Sequence, residues 1–162
     1  MLAIALILDA VFGEPDWLWR RVPHPAVLFG RVIDWLEVLL NQGGMRRAKG
    51  AVAMLALVAV VGLPAWALSQ GIFDGVFEVL GAAVLLAQRS LADHVRGVAE
   101  ALRVSLAEGR AAVAKIVGRD PETLDQAGVA RAAIESAAEN FSDGVVAPVF
   151  WFLVGGLPGI AV

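Results

Sequence analysis

Arg131, Glu135, Glu139 and Asp143 follow one another at steps of four residues. On a helix that spacing draws a single stripe, with neighbouring Cβ atoms about 5–6 Å apart. Asp143 falls close to where such a helix would end. Two carboxylates one turn apart repel unless a cation stands between them, and Mg²⁺ with oxygen ligands suits that role. The same spacing also describes a solvated face carrying one Arg–Glu pair, a common and weak arrangement. Spacing alone leaves both readings open. Asn140 lies beside the stripe in "AENFSDG", and no charged residue follows Asp143. The opposite face, Ala132, Ala133, Ile134, Ala137 and Ala138, is made mostly of small residues suited to close helix packing.

Other positions carry chemistry less sharply. His24 sits between Pro23 and Pro25, and a following proline biases it toward extended backbone. It is either structural or, with Arg20 and Arg21 nearby, presented to an anion. Arg89, Ser90, Asp93 and His94 open "QRSLADHV". They make a snorkelling arginine with a surface Arg89–Asp93 pair, or a contact for phosphate or carboxylate. Asp9 is a lone carboxylate in an apolar run, a functional candidate by default in a membrane and equally a cap for the turn before "FGEP". Asp74 and Glu78 fall in the first turns of an apolar helix, where the dipole favours anions.

Composition narrows the class. The 162 residues are 59% hydrophobic and 18% charged, with mean hydropathy +0.73, against about 45–50% apolar in ordinary soluble domains. The absence of cysteine excludes disulfides, thiolate catalysis and cysteine-based zinc sites. Two histidines are too few for a His-rich metal site, and a net charge of −3 gives no reason to expect nucleic acid. The start, "MLAIALILDAVFGEP", lacks a basic segment and a cleavage site, so it reads as a short packed helix ended by Gly13 and Pro15 rather than a signal peptide.

These residues must be positioned by membrane helices. The expected fold is all-α: a polytopic integral membrane protein, one domain over residues 1–162, with a transmembrane hairpin and amphipathic cytoplasmic helices. Residues 51–68 carry no charge, and a span needs about 20 apolar residues, so the first span covers about 50–69, kinked or interrupted at Pro64. "SQG" makes a tight turn into a second, about 72–88. Residues 145–162 hold Pro148, Gly155, Gly156, Pro158 and Gly159, and form either a third span or a segment that dips in and turns back. Between them, 89–143 is helical. Leu91, Val95, Val98, Leu102 and Leu106 mark an amphipathic helix running to a stop near Gly118. Asp120 with Pro121 predicts the next helix start, a further helix runs from about Val129 to Asn140, and "NFSDG" should end it. All thirteen Lys and Arg fall before the first span or after the second. A hairpin returns both blocks to one side, which the positive-inside rule makes cytoplasmic, so the protein is a multi-pass protein of the cell (inner or plasma) membrane.

Four stretches together resemble one family: "LDAVFGEPDWLWRRVPHPAVLFGRVI", "QRSLADHV", "IVGRDPETLDQAGVARAAIESAAENFSDGVVAPVFW", and the hydrophobic hairpin between the first two. The chain resembles the cobalamin-biosynthesis CobD/CbiB family, the adenosylcobinamide-phosphate synthases. The resemblance implies a carbon–nitrogen ligase that joins adenosylcobyric acid, a corrinoid, to aminopropanol or its O-phosphate as an amide, with ATP and Mg²⁺. It implies Glu135, Glu139, Asn140 and Asp143 as catalytic, nucleotide or Mg²⁺ ligands (Glu135, Glu139 and Asp143 for the metal). It further implies Arg89, Ser90, Arg119 and Arg131 as groups for phosphate or substrate carboxylates, with His24, His94 and Glu14 beside them. Membrane lipid and other enzymes of nucleotide-loop assembly are the implied partners. Members of the family are about twice this length, so the chain reads as an N-terminal half. A catalytically inert membrane scaffold for corrin-pathway enzymes is the alternative. A corrin transporter fits less well, because nothing suggests inverted repeats.

Overall fold

The computed structural model describes residues 1–71, 73–118 and 120–162, without the side chains of Asp16 and Asp74. Among the described residues it contains helices and no strand. Three helical stretches, Arg46–Leu68, Gly75–Val104 and Gln126–Ala161, are long and apolar enough to cross a membrane.

α1 (Leu2–Phe12) is short and apolar and stops at Gly13, whose φ of 56° suits glycine. Glycine is required there twice over, because a Cβ would lie 2.6 Å from Cγ of Arg89. α2 (Asp16–Trp19) is one turn. α3 (Pro25–Leu40) begins with proline at its first position and with His24 as cap. It lies along α4 (Arg46–Leu68): Phe29 and Ile33 share a cavity wall with Met54, Leu57, Val58 and Val61. α4 runs through Pro64 without ending. α5 (Asp74–Leu85) starts the return, and the backbone becomes extended at Leu86 before α6 (Gln88–Val104).

The long amphipathic helix expected from 89 toward 118 is in fact two. Ser105 is extended (φ −164°, ψ 163°), and its Oγ accepts from Glu108 N to open α7 (Leu106–Val113). α6 and α7 then pack closely: a Cβ on Gly109 would collide with Leu102. The start expected at Asp120 also moves. Asp120 Oδ1 accepts from Glu122 N in a local turn, whereas Asp125 Oδ1 accepts from Gly128 N at 2.7 Å and caps α8 (Gln126–Phe141). Nor does "NFSDG" end that helix. Ser142–Val146 form a π-helical turn, α9, that leads straight into α10 (Ala147–Ala161).

α10 is not straight. Gly155 (φ −137°, ψ 15°) and Gly156 (φ 59°, ψ −145°) leave helical geometry. Beyond them the chain folds back, so that a Cβ on Gly159 would collide with the carbonyl oxygen of Trp151. The returning arm puts Leu157 against Gly81 of α5 and Val162 against Gly62 of α4.

Two apolar cores result. One joins Ala5, Ala65, Ala82, Leu86, Phe152, Leu157 and Ile160 from α1, α4, α5 and α10. The other joins Val98, Val113, Val129, Ala132 and Ala133 from α6, α7 and α8. The buried face of α8 is Gly128, Val129, Ala132, Ala133 and Ser136. Of the small-residue face expected there, Ala132 and Ala133 are buried, whereas Ile134 is 68% exposed and Ala138 is also exposed.

Candidate functional site

A groove runs where α6, the end of α7 and α8 meet. It consists of three adjoining cavities. The first, about 450 Å³, is bounded by Asp93, His94, Gly97, Glu108 and Lys115 among others. The second, about 460 Å³, shares His94 and Lys115 and adds Ser90, Asn140 and Gly144. The third, about 260 Å³, shares Ile116, Val117 and Asn140 with the second and adds Gly118, Glu135, Ser136 and Glu139.

Each wall has a local cause. α6 is anchored to α1: Asp9, 2% exposed, accepts through Oδ2 from Gln88 N at 3.0 Å, and Gln88 Nε2 donates to Leu6 O at 2.5 Å. Asp9 thus places a carboxylate at the N-terminus of α6, where the first N–H groups have no helical partner. His94 lies one turn after Ser90, and its Nδ1 is 2.7 Å from Ser90 O. A carbonyl oxygen only accepts, so Nδ1 carries the proton and Nε2 is the free ring nitrogen. On α8 the buried Ser136 hydroxyl donates to Ile116 O. Asn140 Nδ2 donates to Ser136 O (2.8 Å) and Ser136 Oγ (3.0 Å). Nδ2 is thus turned to Ser136, and Asn140 keeps Oδ1 as an acceptor. The π turn docks on the α5–α6 break through Ala87 N to Gly144 O at 3.1 Å. Such π turns recur at functional sites.

The groove therefore brings together Ser90, His94, Glu135, Glu139 and Asn140. It does not include the other expected positions. Arg89 gives Nε to Asp93 (2.7 Å) and Nη1 to Ala10 O (3.2 Å), a tie between α6 and α1. Arg131 and Asp143 are exposed and border none of the three cavities. Glu14 is exposed near the end of α1. His24 accepts through Nδ1 from Ala26 N at 3.2 Å and meets the Trp19 ring edge-on, with centroids 4.4 Å apart, so it is a helix cap. Arg119 lies outside the described residues.

Among the described residues no three His, Asp or Glu side chains stand close enough to hold a metal ion. Glu135 and Glu139 nevertheless border one cavity a helical turn apart. Mg²⁺ is commonly held by one or two carboxylates plus substrate phosphates rather than by a protein cage. The pair fits that pattern, without Asp143.

Sequence reasoning missed Lys115, which borders two of the cavities. No spacing in the sequence links it to His94.

The family model described as "CobD/Cbib protein" matches residues 2–162. Among curated proteins, the chain is 53% identical over 175 residues to a cobalamin biosynthesis protein CobD of Sinorhizobium sp, covering 99% of this chain and 53% of the relative. It is 52% identical to the Brucella anthropi protein of that name (99% and 52% covered) and 45% to that of Rhodobacter capsulatus (99% and 53%). The chain thus spans about half the length of the curated relatives it matches. No solved structure matches it.

Proposed function

The chain belongs to the CobD/CbiB protein family, and on that premise we propose that it contributes the α6–α7–α8 groove to an ATP-dependent amide-forming enzyme of cobalamin biosynthesis. The acid is the propionate of adenosylcobyric acid and the amine is aminopropanol or its O-phosphate. The observation that carries this reading is the groove itself. It places Glu135 and Glu139, the Asn140 amide oxygen, His94 with its free Nε2 and Lys115 along one continuous surface, with Asp93 and Glu108 in the first cavity.

The chemistry sets the roles. The propionate takes the terminal phosphoryl group of ATP, giving an acyl phosphate and ADP. The amine then attacks the acyl carbon, phosphate leaves, and the amine gives up a proton. Mg²⁺, when bound, neutralises nucleotide charge; Glu135 and Glu139 are the side chains that would hold it. His94 Nε2 is the open nitrogen within the groove for the proton of the attacking amine, because Nδ1 is tied to Ser90 O. Asn140, held by Ser136, accepts from the ammonium or amine through Oδ1. The large corrin enters from water at the cytoplasmic face, to which the paired basic blocks orient the groove.

The test is a chimaera in which residues 1–162 replace the matching half of the Sinorhizobium relative. Purified in detergent with adenosylcobyric acid, each amine in turn, Mg²⁺ and ATP, it should form the amide with stoichiometric ADP, read by mass spectrometry. Glu139→Ala should lower the rate at least tenfold. A chimaera that accumulates in membranes yet makes no amide overturns the reading and leaves an inert scaffold.

A further inference from the structure

Lys115 stands in the turn after α7, with its side chain exposed. Among the described residues its ammonium has no hydrogen bond and no ion pair. It nevertheless borders both larger cavities of the groove, and His94 is the other polar side chain common to the two. Among the described residues lining the second cavity Lys115 is the one formally charged; the polar side chains around it are Ser90, His94 and Asn140. In the first, the Asp93 carboxylate is already neutralised on both oxygens, by Arg89 Nε at 2.7 Å and Arg96 Nη1 at 2.8 Å.

Glu108 shares the first cavity with Lys115, and Glu135 and Glu139 border the third, across Asn140, whereas the second cavity holds no carboxylate among the described residues. An ammonium with three donors on a flexible stem is a general phosphate ligand. Arg89 borders none of the three cavities and is turned to Asp93 and Ala10 O.

We infer that Lys115 is the phosphate-binding residue of this groove. The inference rests on the proposed amide-forming reading for the nature of its ligand. That reaction offers two sources of the same chemistry, the polyphosphate of ATP and the phosphate monoester of the amino alcohol. Lys115 binds and positions; it takes no proton in the reaction.

Binding is measured by titration calorimetry on the purified chain in detergent, with three probes: the non-hydrolysable ATP analogue AMP-PNP with Mg²⁺, aminopropanol O-phosphate, and free aminopropanol. Lys115→Gln should weaken at least one phosphate-bearing probe by tenfold or more, while Lys115→Arg stays within about threefold of the unaltered chain. Free aminopropanol should be indifferent to both. Loss confined to AMP-PNP assigns the seat to the nucleotide, and loss confined to the phosphorylated amine assigns it to the acceptor. If the Gln form binds both phosphate probes like the unaltered chain, or if the unaltered chain binds neither, the inference is overturned. The two proposals separate cleanly. Lysine-dependent binding in a chain whose chimaera makes no amide keeps the phosphate seat and removes the reaction. Amide formation with binding indifferent to Lys115 does the reverse.

Discussion

Asp9 shows how a chemically suggestive residue is settled by its partner. From its setting alone, a lone carboxylate in an apolar run reads either as functional or as a local cap. The structure makes it a cap, though of a different helix, 79 positions along: it accepts from Gln88 N at the start of α6. That contact fixes where α6 begins, and with it Ser90 and His94. Asp9→Ala removes the acceptor from a part-buried N–H, which costs about 1–3 kcal/mol. The apparent melting temperature in detergent should fall by about 3–10 °C, and Asp9→Asn, which keeps an oxygen, should lose less than half of that. An alanine form that melts with the unaltered protein would remove Asp9 from this role. Glu135 and Glu139 were legible because helical spacing is visible in sequence. Lys115 was not, because it comes to His94 only through the α6–α7 turn.

Elements were legible where one periodicity governs them. α4 follows from an uncharged run, and α1 from an apolar run closed by Gly13. The breaks were harder. Ser105-x-x-Glu108 is a capping-box pattern inside an otherwise helical periodicity, and its half that is formed, Ser105 Oγ to Glu108 N, divides α6 from α7. "NFSDG" has turn composition, yet contact with Ala87 draws it into a π turn. Tertiary contact overrides composition there. The glycines of α10 carry the fold-back unequally. At Gly159 an added Cβ meets the Trp151 backbone, which cannot move aside cheaply, whereas at Gly155 nothing lies within 4 Å. Overpacking of that kind costs about 1–3 kcal/mol. Gly159→Ala should lower the melting temperature by about 5 °C or more, and Gly155→Ala should leave it within about 2 °C. Equal effects at the two positions would mean that residues 157–162 do not return along the first arm.

At the scale of the molecule, the two cores divide the labour. The α1–α4–α5–α10 core is apolar throughout, and the α6–α7–α8 core carries the polar groove on its outside. α5 has 12 residues, about 18 Å of helix, short of a hydrocarbon layer about 30 Å thick. We expect the first turns of α6 to complete the return crossing, where Asp9 accepts from Gln88 N and Leu6 O accepts from the Gln88 side-chain amide. On that expectation the groove lies at the membrane boundary. The topology predicted from it has the α3–α4 loop and the far part of α6 on one side and the α4–α5 turn on the other. The chain has no cysteine, so single introduced thiols report cleanly. Gln70→Cys should react with an impermeant maleimide in intact cells. Gln42→Cys and Glu100→Cys should react only after the inner face is opened. Were Gln42 and Glu100 labelled from opposite sides, the second crossing would end elsewhere than the α5–α6 junction. The basic blocks would then be divided by the bilayer, and a groove built from α6 and α8 could not face the cytoplasm.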